Sequence, residues 1–147
     1  MINCSIFDCK FDHALCDLGA SVNIMPKVTF EKLGYPSISP STICVQLADS
    51  TIRYSEGLVE RLMVKVKNTY ILVDFIVLDM KGDLRIPLIL GRPFLKDTNA
   101  RIDVGTGRIN LRIMGKTMKF KFQNKREVFL IHEDSEKQGV VGRTRLQ

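Results

Sequence analysis

Apolar residues recur along this chain in short runs, mostly with a period of two. Ile109, Leu111 and Ile113 alternate with Arg108, Asn110 and Arg112, and Met118, Phe120 and Phe122 alternate with Lys119 and Lys121. Strict alternation sends one set to each face of a strand, and Gly115 lies between the two runs, so they predict an amphipathic hairpin. Residues 62–66 and 70–78 are apolar runs on either side of Asn68-Thr69 and predict a second hairpin. Residues 43–47 run into a turn at Asp49-Ser50, and Ile52-Arg53-Tyr54 leads out toward Gly57. Helix signals are few. Pro26 suits a first helical turn and Gly34 suits a stop, which predicts a helix over 26–33, and a second opens at Arg92-Pro93. The sum is an all-β chain with two short helices over 1–126. A charged tail, 127–147, carries Gly139 and Gly142 and reads as a linker or frayed terminus.

A weak repeat runs through this pattern. Ala14-Leu15-Cys16 reaches Asp17-Leu18-Gly19, with Pro26 and a helix following; Leu88-Ile89-Leu90 reaches Gly91, with Pro93 and a helix following. Two copies of strand, glycine turn and proline-led helix suggest pseudo-symmetry. Only the first copy sets an acid immediately before its glycine turn. An acid in a tight turn at the end of a buried strand, followed by the small Gly19 and Ala20, suits chemistry in which two such turns approach each other. Two carboxylates at close range share one proton: the ionised one activates water and the protonated one polarises a carbonyl, with no metal or cofactor. Such a pair titrates as a unit.

Composition narrows the picture further. The chain has 147 residues and 45% hydrophobic content, which suits one globular domain. No apolar run approaches the ~20 residues that cross a bilayer, and the first residues lack a signal-peptide pattern, so an intracellular, cytoplasmic protein without a membrane partner is expected. Cysteines at 4, 9, 16 and 44 match no paired zinc spacing and read as reduced thiols. The net charge is +6, and residues 104–126 hold seven Lys/Arg with no Asp or Glu. That stretch is a solvated basic strand face or a nucleic-acid contact.

The stretches 14–26, 45–49, 73–79 and 87–95 together carry a resemblance. Their core strings are Asp17-Leu18-Gly19-Ala20-Ser21-Val22-Asn23-Ile24-Met25-Pro26 and Pro87-Leu88-Ile89-Leu90-Gly91-Arg92-Pro93-Phe94-Leu95. The chain resembles, over about residues 5–122, the retropepsin-like protease domain of gypsy-type plant retrotransposon polyproteins. The resemblance implies a closed, barrel-like β fold that forms a two-fold homodimer, with Asp17 of each protomer as the catalytic pair. It implies a flap hairpin over 45–54, with Ala48, Asp49, Ser50 and Thr51 at its tip. It also implies polyprotein peptide bonds as substrate, and a setting that includes virus-like particles. One position departs from it. Active members usually carry Ser or Thr directly after the aspartate, where the hydroxyl braces the two turns across the dimer axis; here that residue is Leu18.

Other acids have plainer readings. Asp103-Val104-Gly105-Thr106-Gly107 repeats the Asp-x-Gly string but runs straight into the 108–113 strand, so it reads as a hairpin turn. Asp49 suits a turn, and Asp74 interrupts an apolar strand to face solvent or a neighbouring Arg. His13 precedes Asp17 by four residues, which strand spacing does not bring beside the carboxylate. Ser21 has no base and reads as a helix or loop cap. Three functions stay open: an aspartic endopeptidase, a non-catalytic dimerisation or peptide-binding module of the same fold, and nucleic-acid binding through 104–126.

Overall fold

A computed structural model describes residues 2–7, 9–47, 50–80, 88–121 and 140–144. Its strands are β1 (Ile2–Ile6), β2 (Cys9–Cys16), β3 (Ile24–Pro26), β4 (Cys44–Leu47), β5 (Ile52–Tyr54), β6 (Gly57–Val66), β7 (Thr69–Leu78), β8 (Leu88–Leu90), β9 (Arg101–Asp103), β10 (Arg108–Ile113), β11 (Lys116–Lys121) and β12 (Val140–Thr144). The helices among these residues are α1 (Lys27–Lys32) and α2 (Arg92–Asp97). Six strands close a barrel in the order β1-β2-β8-β3-β7-β6. Two three-stranded sheets flank it, β11-β10-β9 and β12-β4-β5. The β content and the two short helices are those the sequence pattern predicts, and the closed barrel is the one the resemblance implies.

Both expected hairpins form. β6 and β7 pair antiparallel with Val66 opposite Thr69, and β10 and β11 pair with Ile113 opposite Lys116. Each short turn needs a left-handed residue: Lys67 has φ 53° before the first return, and Met114 (φ 51°) and Gly115 (φ 77°) make the second. The inward face of the second hairpin, Ile109, Leu111, Ile113 and Met118, joins Phe94 and Leu95 of α2 in the main core. That burial is what holds the outer sheet against the barrel.

The strands nearest the glycine turns are buried on both faces. In β2, Ala14 and Cys16 join the main core, whereas Leu15 joins a second cluster with Ala20, Ile24, Val45, Leu78, Met80 and Ile89. Met25 and Ile24 of β3 divide between the clusters in the same way, as do Leu88 and Leu90 against Ile89 of β8. This is why Leu15-Cys16, Ile24-Met25 and Leu88-Ile89-Leu90 read as continuous apolar runs rather than alternating ones. β8 lies between β2, which it meets in parallel, and β3, which it meets antiparallel at Ile24 opposite Ile89.

The segment expected as a tail contributes β12, which runs parallel to β4 with Val140 opposite Cys44 and Val141 opposite Val45. The rest of 127–147 lies outside the described residues, as do Phe122 and Pro87.

Candidate functional site

β2 ends at Cys16 and delivers Asp17 into a tight turn. The Asp17 N–H donates to Leu90 O at 2.9 Å, so the β2–β8 ladder continues to the acid itself. The Gly19 N–H donates to Asp17 Oδ1 at 2.8 Å, and the Ala20 N–H to Asp17 O at 3.2 Å. The carboxylate thus closes its own turn through the backbone two residues on. Asp17 is 0% exposed in the single chain.

The second glycine turn interlocks with the first. The Arg92 N–H donates to Ala20 O at 2.9 Å. The Gly91 N–H donates to Asn23 Oδ1 at 2.8 Å, and Asn23 Nδ2 donates to Asp74 O at 3.1 Å. The Ile76 N–H donates to Asn23 O at 2.9 Å. Asn23 is 3% exposed and ties three elements together: the loop after Asp17, the Gly91 turn and β7. Its role as a clamp went unread in the sequence. The available signal was a polar side chain between Val22 and Ile24 in an apolar stretch, which in a buried strand demands hydrogen-bond partners. Gly91 is required by space. A Cβ there would stand 2.3 Å from Val22 O and 2.7 Å from Ala20 O.

Ile89 and Leu90 are fully buried, and the second copy brings no acid to the site. Ala20 is buried beneath the turn. Leu18 is half-buried and packs against the main core. With Ser21, Arg92, Pro93, Leu95, Lys96 and Asp97 it lines an open hollow of about 740 Å³. Ser21 caps neither helix: Pro26 precedes α1 and Gly91 precedes α2, each without a side-chain cap bond.

Within the segment 45–54, read from the sequence as a flap, β4 pairs antiparallel to β5, with Cys44 opposite Tyr54 and Gln46 opposite Ile52. Its root, Val45, is buried in the cluster that includes Ala20 and Leu15, so the hairpin springs from beneath the Asp17 turn. Ser50 (φ 71°) and Thr51 are exposed; Ala48 and Asp49 lie outside the described residues.

The other acids fall away from this centre. Asp103 sits opposite Arg108 in the β9–β10 hairpin, and its Oδ1 accepts the Thr106 N–H at 3.2 Å, a plain turn contact. Asp74 is exposed, and its Oδ1 accepts the Arg61 N–H at 2.7 Å where β6 bulges. Among the described residues no group of three or more His, Cys, Asp or Glu is gathered for a metal. No helix among them is long and apolar enough to cross a membrane.

No protein-family model matches the chain, and no curated protein does. A solved structure does: the crystal structure of the retroviral protease-like domain of Ddi1 from Leishmania major. The two agree with a TM-score of 0.54 at 22% identity, over 75% of this chain and 84% of that one. At that identity the likeness is one of fold, and the fold is retropepsin-like.

Proposed function

We propose that this chain is one protomer of a homodimeric aspartic endopeptidase in which Asp17 of each protomer supplies one carboxylate. The observation that carries the reading is the Asp17 turn, closed by Gly19 and interlocked with the second glycine turn. A single chain brings one acid to this place, and an isologous two-fold contact doubles it. In the dyad, the ionised Asp17 takes a proton from water as the oxygen attacks the scissile carbonyl carbon. The protonated Asp17 of the partner subunit gives its proton to the carbonyl oxygen. Collapse of the tetrahedral intermediate returns that proton to the dyad and moves another to the leaving amide nitrogen. Both carboxyl groups end ready for the next turnover. The β4–β5 hairpin serves as the flap, and the hollow beside Leu18 and Ser21 serves the substrate chain. The resemblance read from the sequence makes a retrotransposon polyprotein the substrate, cut in the cytoplasm or in virus-like particles.

Two observations favour a second reading, a dimerisation or peptide-binding module without turnover. Leu18 supplies no hydroxyl to brace the paired turns, and Asp17 is fully buried in the single chain. A displacement of ~1 Å in a dyad can cost ~100-fold in rate. Incubation with a peptide library at mildly acidic pH, with and without a statine-type inhibitor, separates the two. The endopeptidase cuts, is blocked by the inhibitor, and loses activity in Asp17→Asn. Cleavage that survives Asp17→Asn rejects it. A dimer by analytical ultracentrifugation that cuts nothing until Leu18→Thr is introduced establishes the module.

A further inference from the structure

We propose that the outward face of the β9–β10–β11 sheet binds the phosphodiester backbone of a nucleic acid without reading its bases. The pairing sets the positions. Arg108 stands between Asp103 and Lys121, Asn110 between Arg101 and Lys119, and Arg112 opposite Thr117. Ile109, Leu111, Ile113 and Met118 turn inward, so Arg101, Arg108, Arg112, Lys119 and Lys121 share the outward face, and all five are exposed. The carboxylate in these rows, Asp103, already accepts the Thr106 N–H. Among the described residues no ion pair engages any of the five cations.

The arrangement suits a repeating anion. Outward positions recur about every 6.7 Å along a strand, and neighbouring strands lie about 4.8 Å apart. Within the grid is a hollow of about 180 Å³ lined by Asn99, Arg101, Asn110, Leu111, Arg112 and Thr117. Its polar lining is two guanidiniums, two amides and a hydroxyl, with no carboxylate, which is the donor set for a phosphate oxygen. An acidic protein partner or a membrane would use apolar anchors as well. The outward strand positions carry none; the exposed Val104 and Met114 lie in turns. Phe120 packs toward the core with Lys67 Nζ 4.8 Å from its ring, so it is no stacking platform for bases. The face therefore reads charge and spacing.

The test uses the intact chain and a labelled oligouridylate of roughly 20 nucleotides, with fluorescence anisotropy measured between about 50 and 200 mM salt. Five phosphate contacts predict a slope of about −3.5 for log K against log salt, a loss of about 100-fold across that range. Arg101→Gln/Arg112→Gln, checked for folding by thermal melt, should weaken binding at least ~10-fold at low salt and flatten the slope to about −2. Lys10→Gln/Lys32→Gln removes equal charge from other surfaces and should leave the slope in place. Asp17→Asn should bind as wild type, which separates this site from the proposed protease chemistry. The proposal is overturned by absence of binding, by an unchanged slope in Arg101→Gln/Arg112→Gln, or by polyglutamate competing as well as RNA per unit charge. The last result would assign the face to an acidic protein.

Discussion

Gly91→Ala is the sharpest test of how the two glycine turns are joined. The backbone at Gly91 has φ −91°, which any residue adopts, so the substitution brings no backbone strain. Its whole cost is crowding. The new methyl would lie 2.3 Å from Val22 O, 2.7 Å from Ala20 O and 2.9 Å from Val22 C. The worst contact is more than ~1 Å inside van der Waals range. All three atoms are backbone, so no rotamer change relieves it. Moving Ala20 stretches its bond from Arg92, and moving Gly91 breaks its bond to Asn23. Overpacking of this kind costs ~3 kcal/mol or more. For a domain of this size that is a fall in melting temperature of roughly 6–12 °C or greater. Gly34 and Gly115 provide the contrast: each has open space for a Cβ but φ of +83° and +77°. Gly34→Ala and Gly115→Ala should therefore cost only the left-handed strain, about 1–2 kcal/mol. Thermal melts of the three variants decide the matter. A Gly91→Ala melting point within about 2 °C of wild type, or above that of Gly34→Ala, refutes the interlocked-turn account.

Asn23→Ala removes the acceptor of the Gly91 N–H, a buried bond, and the donor to Asp74 O, a partly buried one, and should cost about 2–4 kcal/mol in urea unfolding; a loss under ~0.5 kcal/mol would show that the clamp is dispensable. Burial pushes the Cys4 thiol from 9.0 up to about 12. The unfolded thiol ionises first, so this contribution is whole below pH 9 and is lost as pH rises toward 12, by about 1.4 kcal/mol per unit at most. Urea midpoints measured from neutral to alkaline pH should fall more steeply for wild type than for Cys4→Ala, and parallel curves would refute it. Asp74→Ala should cost about 1 kcal/mol through the lost Arg61 N–H contact, whereas Arg61→Gly, relieving φ 54°, should stabilise by a similar amount. Calorimetry that returned the same sign for both would contradict the reading of this bulge.

Much of the fold is legible in the chain because its signals are local. Alternation at 108–121 specifies which face of β10 and β11 is buried, and Asn68-Thr69 and Gly115 mark returns that form where expected. The Pro26 and Pro93 signals place both helices to within a residue or two. Asp103 is legible as a turn residue for the same reason: the alternating strand pattern begins only five residues later, at Arg108. The Asp17 turn is visible as a string, since an acid, a glycine and an alanine after an apolar run are neighbours in sequence.

Other features depend on partners far along the chain. The pairing of Cys16 with Leu90, the seating of β8 between β2 and β3, and the bond from Gly91 to Asn23 each join residues about seventy positions apart. No propensity or period encodes them; burial of β2, β3 and β8 on both faces selects them, because only this order removes all three strands from water. The same packing assigns Asn23 its clamp, draws β12 beside β4 and buries Asp17 in the single chain. The sequence by itself determined the two hairpins with their turns, the two short helices, the acid in its turn and the basic face of the last hairpin. The tertiary structure decided which turns meet and how deeply the acid lies, since both are set by core packing across distant segments rather than by any one segment's own chemistry.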